Sequence, residues 1–348
     1  MARLDGEFVA LTEAPRRVAF DPQTLETRGE FTFDDDLTEH ITAAHLVVDP
    51  THDETVGFAT QFGLSPQYHI YRVPAGSRQR EVIASLDARG PAYIHDCSLT
   101  DSHVVLVESP LTLSVLRALN PLSEGAIDML EWSPEEPTRL LVVDRASGEL
   151  VADPTFEATF CFHHVNAYCA DGEVVVDLIE FPDSDIVGSL SLDELDGQGF
   201  PDVPAGELQR YRIDPAANTV DRTPLYVGGM ELPRVPRGRT GRPYRYAYGQ
   251  ATDRDGANGL VKVDCETGQA TEWWEQGVYV EEPIPIQRPA GDAEDDGVVV
   301  ATALDVDRER TLLLVFDAET LTVAARAVLP HAEPFGFHGR FFPDVVPE

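Results

Sequence analysis

Residues 141–151, LVVDRASGELV, run from an aliphatic block into an Asp, through a short turn and back into apolar residues. This is the pattern of two short strands joined by a turn whose opening Asp accepts hydrogen bonds from its own downstream amides. The cassette recurs at VAFDPQTLETRGEFTF (Asp21), LVVDPTHDETVGF (Asp49), YRIDPAANTV (Asp214), VKVDCETGQATEWW (Asp264) and LVFDAETLTVAARAV (Asp317). The intervals from Asp214 to Asp264 and from Asp264 to Asp317 are close to 50 residues, the scale of one four-stranded propeller blade, and the irregular ones elsewhere imply insertions. Long stretches of 3.6-residue periodicity are scarce. The chain therefore predicts an all-β propeller, with a β-sandwich of similar hairpins as the alternative.

Outward from the cassettes, RLDGEFVALTE predicts a hairpin with an Asp-Gly turn close to Met1. No stretch has the composition of an interdomain linker, so residues 1–348 are expected to form one domain. Two segments break the β pattern. Residues 110–122, PLTLSVLRALNPL, place Leu113, Leu116 and Leu119 with Val115 and Leu122 at helix-compatible spacing, an amphipathic segment suited to a lid or a membrane-facing patch. Residues 288–297, RPAGDAEDDG, predict an acidic loop.

The 348 residues carry 61 acidic and 26 basic side chains, a formal charge of −35, with 43% hydrophobic residues. That supports a sizeable core and argues against a general nucleic-acid binder, since polyphosphate would be repelled. Lys262 is the sole lysine. An acidic, almost lysine-free surface is expected of a halophilic protein, kept apart from its neighbours where salt screens self-repulsion. Four cysteines, Cys97, Cys161, Cys169 and Cys265, make no disulfide framework and contain no zinc-type pair. There is neither a leader-like start nor a run of 18 apolar residues. The expectation is a reduced, soluble, cytoplasmic protein, at most peripheral to a membrane.

Four of the ten histidines lie in apolar contexts spread along the chain: His45 in ITAAHLVVDP, His95 in AYIHDCSL, His163 in FCFHHVNAYC and His338 in EPFGFHGRFFP. A buried imidazole needs partners for its nitrogens. Different blades of a propeller could bring all four to its axis. His163 and His164 are strand neighbours, so they face opposite ways and at most one joins such a site. Spacing alone does not choose between them. Glu13, Glu231 and Glu282 stand in apolar or proline-rich surroundings and are candidates to pair with these histidines.

Other signals fail. GDAEDDG resembles the start of a calcium loop through Asp292, Glu294, Asp296 and Gly297, but the closing position is Ala303. Arg234, Arg237, Arg239, Arg242 and Arg245 are expected to pair with nearby carboxylates. No phosphate-binding loop, dinucleotide fingerprint or nucleophile elbow is present, so nucleotide cofactors and serine hydrolysis are unsupported.

With these motifs in order, the chain resembles the carotenoid cleavage oxygenases, which include apocarotenoid oxygenases, lignostilbene dioxygenases and the retinal pigment epithelium isomerohydrolase. ALTEAPRRVAFDPQTLETRGEF is similar to the family's Glu-bearing turn segment. TAAHLVVDP, YIHDCSLTDSHVVLVESPL and FCFHHVNAYCADGEVVVDLIEFPD resemble its first three histidine motifs. ELPRVPRGRTGRPYRYAYG and EEPIPIQRPAGDAEDDGVVV resemble its later Glu-bearing segments, and FGFHGRFFP its C-terminal motif. The resemblance implies a seven-bladed β-propeller with Fe(II) on its axis. Its ligands would be His45, His95, His163 and His338, with Glu13, Glu231 and Glu282 behind them; the family's motif selects His163 over His164. The family carries a substantial segment ahead of the Glu13 motif where this chain has twelve residues, so the resemblance also implies missing N-terminal blade material.

The activity implied is Fe(II)-dependent cleavage of a conjugated double bond of a carotenoid or apocarotenoid by O2, giving two carbonyl products. Phe162, Phe335, Phe337 and Phe341, beside the ligand motifs, are candidates to line an apolar tunnel. Cleavage of a stilbene-type aryl alkene and a non-catalytic propeller scaffold are the alternatives.

Overall fold

The computed structural model describes all residues except 115–124, 126, 191–202, 255–257, 335, 337 and 346–348. It is an all-β propeller. Six antiparallel sheets of the blade type follow one another along the chain, over residues 2–30, 41–87, 97–156, 160–226, 230–273 and 278–328, here blades 1 to 6. In each sheet, strands consecutive in sequence are neighbours, apart from short pieces that break the inner or outer edge and a two-stranded insertion in blade 3. The described residues therefore contain six blades where seven were expected. The additional strands, Leu111–Leu113 and Leu130–Trp132, pair with each other as a separate ribbon, and Thr112 also forms an isolated antiparallel bridge with Ala92.

Leu111–Leu113 also corrects the helical reading of residues 110–122. Leu111 is buried, and the stretch pairs residue by residue with Leu130–Trp132 as an antiparallel ladder. The remainder of that segment, including Leu116, Leu119 and Leu122, lies outside the described residues.

The middle strands show why uninterrupted apolar runs work here. His103–Glu108 and Thr138–Asp144 of blade 3 pair in register and are covered on both faces by adjacent blades. Val104, Leu106, Leu141 and Val143 pack with Val56, Phe58, Tyr68 and Ile70 of blade 2. The alternate residues Val105, Val107, Leu140 and Val142 pack with Val174, Val176, Leu178 and Tyr211 of blade 4. Period-two alternation thus directs successive side chains into two different cores. Similar clusters join blades 1 and 2, 4 and 5, and 5 and 6. Between blade 6 and blade 1 the C-terminal segment provides contacts: Phe342 packs edge-on against Phe8, and Arg3 pairs with Asp344.

The recurring cassettes form as the sequence reading expects. Asp21, Asp49, Asp144, Asp214 and Asp264 each accept backbone N–H groups two and three residues downstream, and Asp317 accepts that of Thr320. The first hairpin turns on Asp5 and Gly6, both at positive φ, as a type I′ turn requires.

Candidate metal centre

His45, His95, His163 and His338 come from four separate places in the chain, and one ring nitrogen of each lies within 4.8 Å of the others. His45 and His163 are placed by irregularities on the inner edge of a blade, His95 and His338 by segments outside the strands. In blade 2 the inner edge consists of two pieces, Ile41–Thr42 and Val47–Asp49, paired with the same neighbouring strand, and His45 stands in the gap between them. Gly57 faces this excursion: a Cβ there would lie 2.5 Å from Leu46 Cδ2 and 3.1 Å from the Tyr71 hydroxyl. His95 immediately precedes the inner strand Cys97–Leu99 of blade 3. In blade 4 the register of Phe160–Ala170 against Glu173–Phe181 slips between Cys161 and His164, which re-aims His163. His338 lies on the C-terminal segment beyond blade 6.

The glutamates are placed in the same way. Glu282 occupies a break between Val278–Val280 and Ile284–Gln287 on the inner edge of blade 6. Glu231 is on the inner strand of blade 5 at another register slip, followed by Leu232 at φ +48°. Left-handed backbone is costly for a leucine, and here it coincides with the turn of chain that carries Glu231. Glu13 lies between two strands of blade 1.

Three imidazoles are tied to these carboxylates through Nδ1. His95 is 2.6 Å from Glu13 Oε1, His163 2.6 Å from Glu231 Oε2, and His338 2.9 Å from Glu282 Oε1. With Nδ1–H donated to a carboxylate, each neutral ring presents its Nε2 lone pair inward. His163 Nε2 and His338 Nε2 are 3.2 Å apart. Two such lone pairs repel unless a proton or a cation sits between them. An ion about 2.1 Å from each imidazole nitrogen separates its adjacent ligands by roughly 3 Å. The donor set therefore fits a single metal ion.

The electrostatics divide the four rings. Burial and then the three neighbouring imidazoles hold His45 well below the usual histidine range, so it is neutral. Burial lowers His338 against the pull of Glu282. His163 is raised: burial opposes its charge, but Glu231 overcomes it. A metal bound at its Nε2 would have to displace any proton held there. Glu282 stays low despite burial because Arg234 Nη2, 2.8 Å away, and His338 stabilise its charge, and Gly339 N–H donates to its second oxygen. Glu231 Oε1 is buried and has no hydrogen-bond partner among the described residues.

His164 faces away from the cluster. Its Nδ1 is 2.9 Å from Ser98 Oγ, its backbone N–H reaches Asp96, and burial pushes its pKa down to about 4. The remaining histidines lie outside the cluster; His69, for example, bonds Ser85 and Gln61. Phe162 packs edge-on to His95 with ring centroids 5.2 Å apart and joins Tyr93, Phe160 and Phe181 in an aromatic wall. Phe341 is exposed, and Phe335 and Phe337 lie outside the described residues.

Two residues at the site escaped the sequence reading. The Tyr93 hydroxyl donates to Glu13 Oε1 at 2.7 Å, the oxygen that also receives His95. Tyr93 lies two residues before His95, and that same-face spacing was the available signal. Arg234 was grouped with arginines expected to find carboxylates. It finds Glu282, while Arg239 pairs with Glu294 and Arg245 with Asp264. The acidic loop is used likewise: Asp295 receives Lys262, and Glu294 accepts the backbone N–H groups of Arg245 and Tyr246. No described helix is long and apolar enough to cross a membrane.

Comparison with known proteins agrees with this geometry. The family model for retinal pigment epithelial membrane protein matches residues 1–343. The chain is 30% identical to the chloroplastic carotenoid cleavage dioxygenase 8 of Arabidopsis thaliana, over 97% of this chain and 63% of that protein. It is 30% identical to the apocarotenoid-15,15'-oxygenase of Synechocystis, over 95% of this chain and 70% of that protein. It thus spans a little under two thirds of the plant relative. Among solved structures, cobalt-substituted Synechocystis ACO superposes with a TM-score of 0.86 at 28% identity, covering 97% of this chain and 73% of that one. Propeller architecture, four converging imidazoles and a family match along almost the whole chain lead to one conclusion: this chain belongs to the retinal pigment epithelial membrane protein family, the carotenoid cleavage oxygenases.

Proposed function

We propose that His45, His95, His163 and His338 hold Fe(II) and that the protein cleaves a conjugated double bond of a carotenoid or apocarotenoid with O2. The convergence of four imidazoles, three of them oriented by carboxylates, carries this reading. Four neutral nitrogen ligands leave the ion's charge to the surrounding glutamates and leave room for further ligands, unlike a two-histidine, one-carboxylate triad. When bound, iron supplies the redox chemistry through which dioxygen reacts with an alkene.

The protein's own residues do the rest. Glu13, Glu231 and Glu282 keep a proton on Nδ1 of His95, His163 and His338, so the opposite nitrogens stay available as ligands. Phe162 and Tyr93, backed by the buried Phe160, put apolar surface beside His95, which favours a polyene over water. The curated relatives are named for carotenoid, apocarotenoid and torulene oxygenases, which favours polyenes over stilbene-type aryl alkenes.

The test has two parts. Elemental analysis should find about one iron per chain, lost in His163→Ala. Aerobic incubation of iron-loaded protein with β-apocarotenals and with stilbenoids should give carbonyl products from the former. Products from stilbenoids alone would move the assignment to aryl alkenes. Cleavage of neither class, or an iron-free protein of unchanged stability, would leave a propeller scaffold.

A further inference from the structure

Far along the strand that carries His163, at its opposite end, Cys169 meets a second cluster. Its thiol is 3.4 Å from Thr100 Oγ1, 3.6 Å from His103 Nδ1 and 3.7 Å from Ser102 Oγ. Thr100, Ser102 and His103 belong to the turn that enters the second strand of blade 3, so the contact spans blades 3 and 4. The turn is well held. Thr100 Oγ1 accepts the backbone N–H groups of Ser102 and His103, and Arg145 Nη1 donates to the Thr100 carbonyl at 2.7 Å. His103 stands opposite Asp144 in the ladder between blade 3's middle strands. Asp144 is ionised, its carboxylate held low chiefly by the Ser147 amide and hydroxyl.

Cys169 is exposed, whereas Cys97 and Cys265 are buried and Cys161 is partly covered. Burial pushes all three of those thiols up. Cys169 moves the other way, drawn down first by its contact with His103 and then by the two hydroxyls, against partial burial. It lies six positions along the strand from His163, about 20 Å at a strand's rise, so its chemistry is separate from the four-histidine cluster.

We propose that Cys169, paired with His103, is a thiol-modification site that forms mixed disulfides with small organic disulfides. His103 takes the Sγ proton. The thiolate then attacks one sulfur of the small disulfide, a new S–S bond forms, and the old one breaks with its electron pair leaving on the second sulfur, which is protonated from solvent. No net oxidant beyond the disulfide is required. Among the described residues the only titratable group in contact with Sγ is His103; Asp144 lies opposite it on the neighbouring strand, and Arg145 is already engaged by Asp49 and Glu54.

The probe is 4,4'-dithiodipyridine, which is uncharged and so not repelled by a protein of charge −35. The folded chain should show one fast-reacting thiol, mapped to Cys169 by peptide mass spectrometry, reacting faster at pH 7 than the thiols of the denatured chain. Cys169→Ser should abolish the fast phase. His103→Gln should move the pH midpoint of the rate upward. It should also slow reaction at pH 7 by about threefold per pKa unit, since the tenfold loss of thiolate is partly offset by greater nucleophilicity. A fast phase mapped to another cysteine, a Cys169 no faster than a denatured thiol, or a His103→Gln rate profile superposing on the parent's would overturn the proposal.

Discussion

Glu231→Gln isolates the charge behind a single histidine. The substitution preserves shape, and its side-chain carbonyl can still accept the His163 Nδ1 proton, now 2.6 Å from Glu231 Oε2. It removes the negative charge that raises His163 and makes its other nitrogen a stronger donor to a metal. No cation bonds Glu231 among the described residues, so, unlike Glu282 with Arg234, its loss strands no buried partner. Removing such a support typically weakens metal affinity about 10–100-fold, or roughly 1.4–2.7 kcal/mol. The same loss can be read through folding. At free metal of 100 times the parent's Kd, binding adds about 2.7 kcal/mol to stability. With affinity tenfold weaker it adds about 1.4, and with affinity 100-fold weaker about 0.4 kcal/mol. Iron titration against a competing chelator, and urea unfolding with and without Fe(II), measure the two effects independently. Glu333→Gln is the control, because Glu333 makes a similar contact to His331 at 2.9 Å on the exposed surface. Iron affinity unchanged in Glu231→Gln, or lowered equally in Glu333→Gln, would refute the reasoning.

Acid should weaken the fold through the turn carboxylates. Asp21 and Asp264 are held at about 2, by backbone hydrogen bonds and by Arg245 respectively, and Asp144 and Asp317 are also lowered. A folded pKa below the unfolded one gives stability that is full above about pH 4 and lost as pH falls through about 2, so urea midpoints should drop across that window. Lys262→Met should destabilise the protein by about 3 kcal/mol or more in chemical denaturation, because Asp295 would keep a nearly buried charge without its ammonium. Thermal stability should rise from low to molar salt, as screening removes self-repulsion among the excess carboxylates; no gain would count against a halophilic character.

The all-β class, the Asp-opened turns and the first hairpin were legible because they rest on local physics. An Asx turn needs only a carboxylate and amides two or three residues on, and a type I′ turn needs only residues such as Asp5 and Gly6 that tolerate positive φ. Four well-separated histidines and three glutamates in apolar surroundings were visible as candidates for the same reason, and the ordered motifs indicated their pairing. What the linear pattern could not decide was how the pieces meet. Spacing left His163 and His164 open and only the family motif selected His163; in the fold that choice rests on a register slip against the next strand, and its nearest imidazole neighbour, His338, is 175 residues away. The placement of His45 and Glu282 in breaks of inner strands is equally a matter of pairing partners. Leu113 was read into a helical spacing with Leu116 and Leu119 but lies in Leu111–Leu113, which took a strand partner in Leu130–Trp132, because cross-strand hydrogen bonding and burial of Leu111 override a few residues of periodicity. Six described blades replaced an expected seven, since blade number follows from which strands pair. Tyr93 and Arg234 acquire their roles only when Glu13 and Glu282 arrive from distant segments. Local hydrogen bonds and side-chain alternation are encoded residue by residue, whereas the four-histidine cluster is a meeting of four chain segments that only the packed blades bring within 4.8 Å.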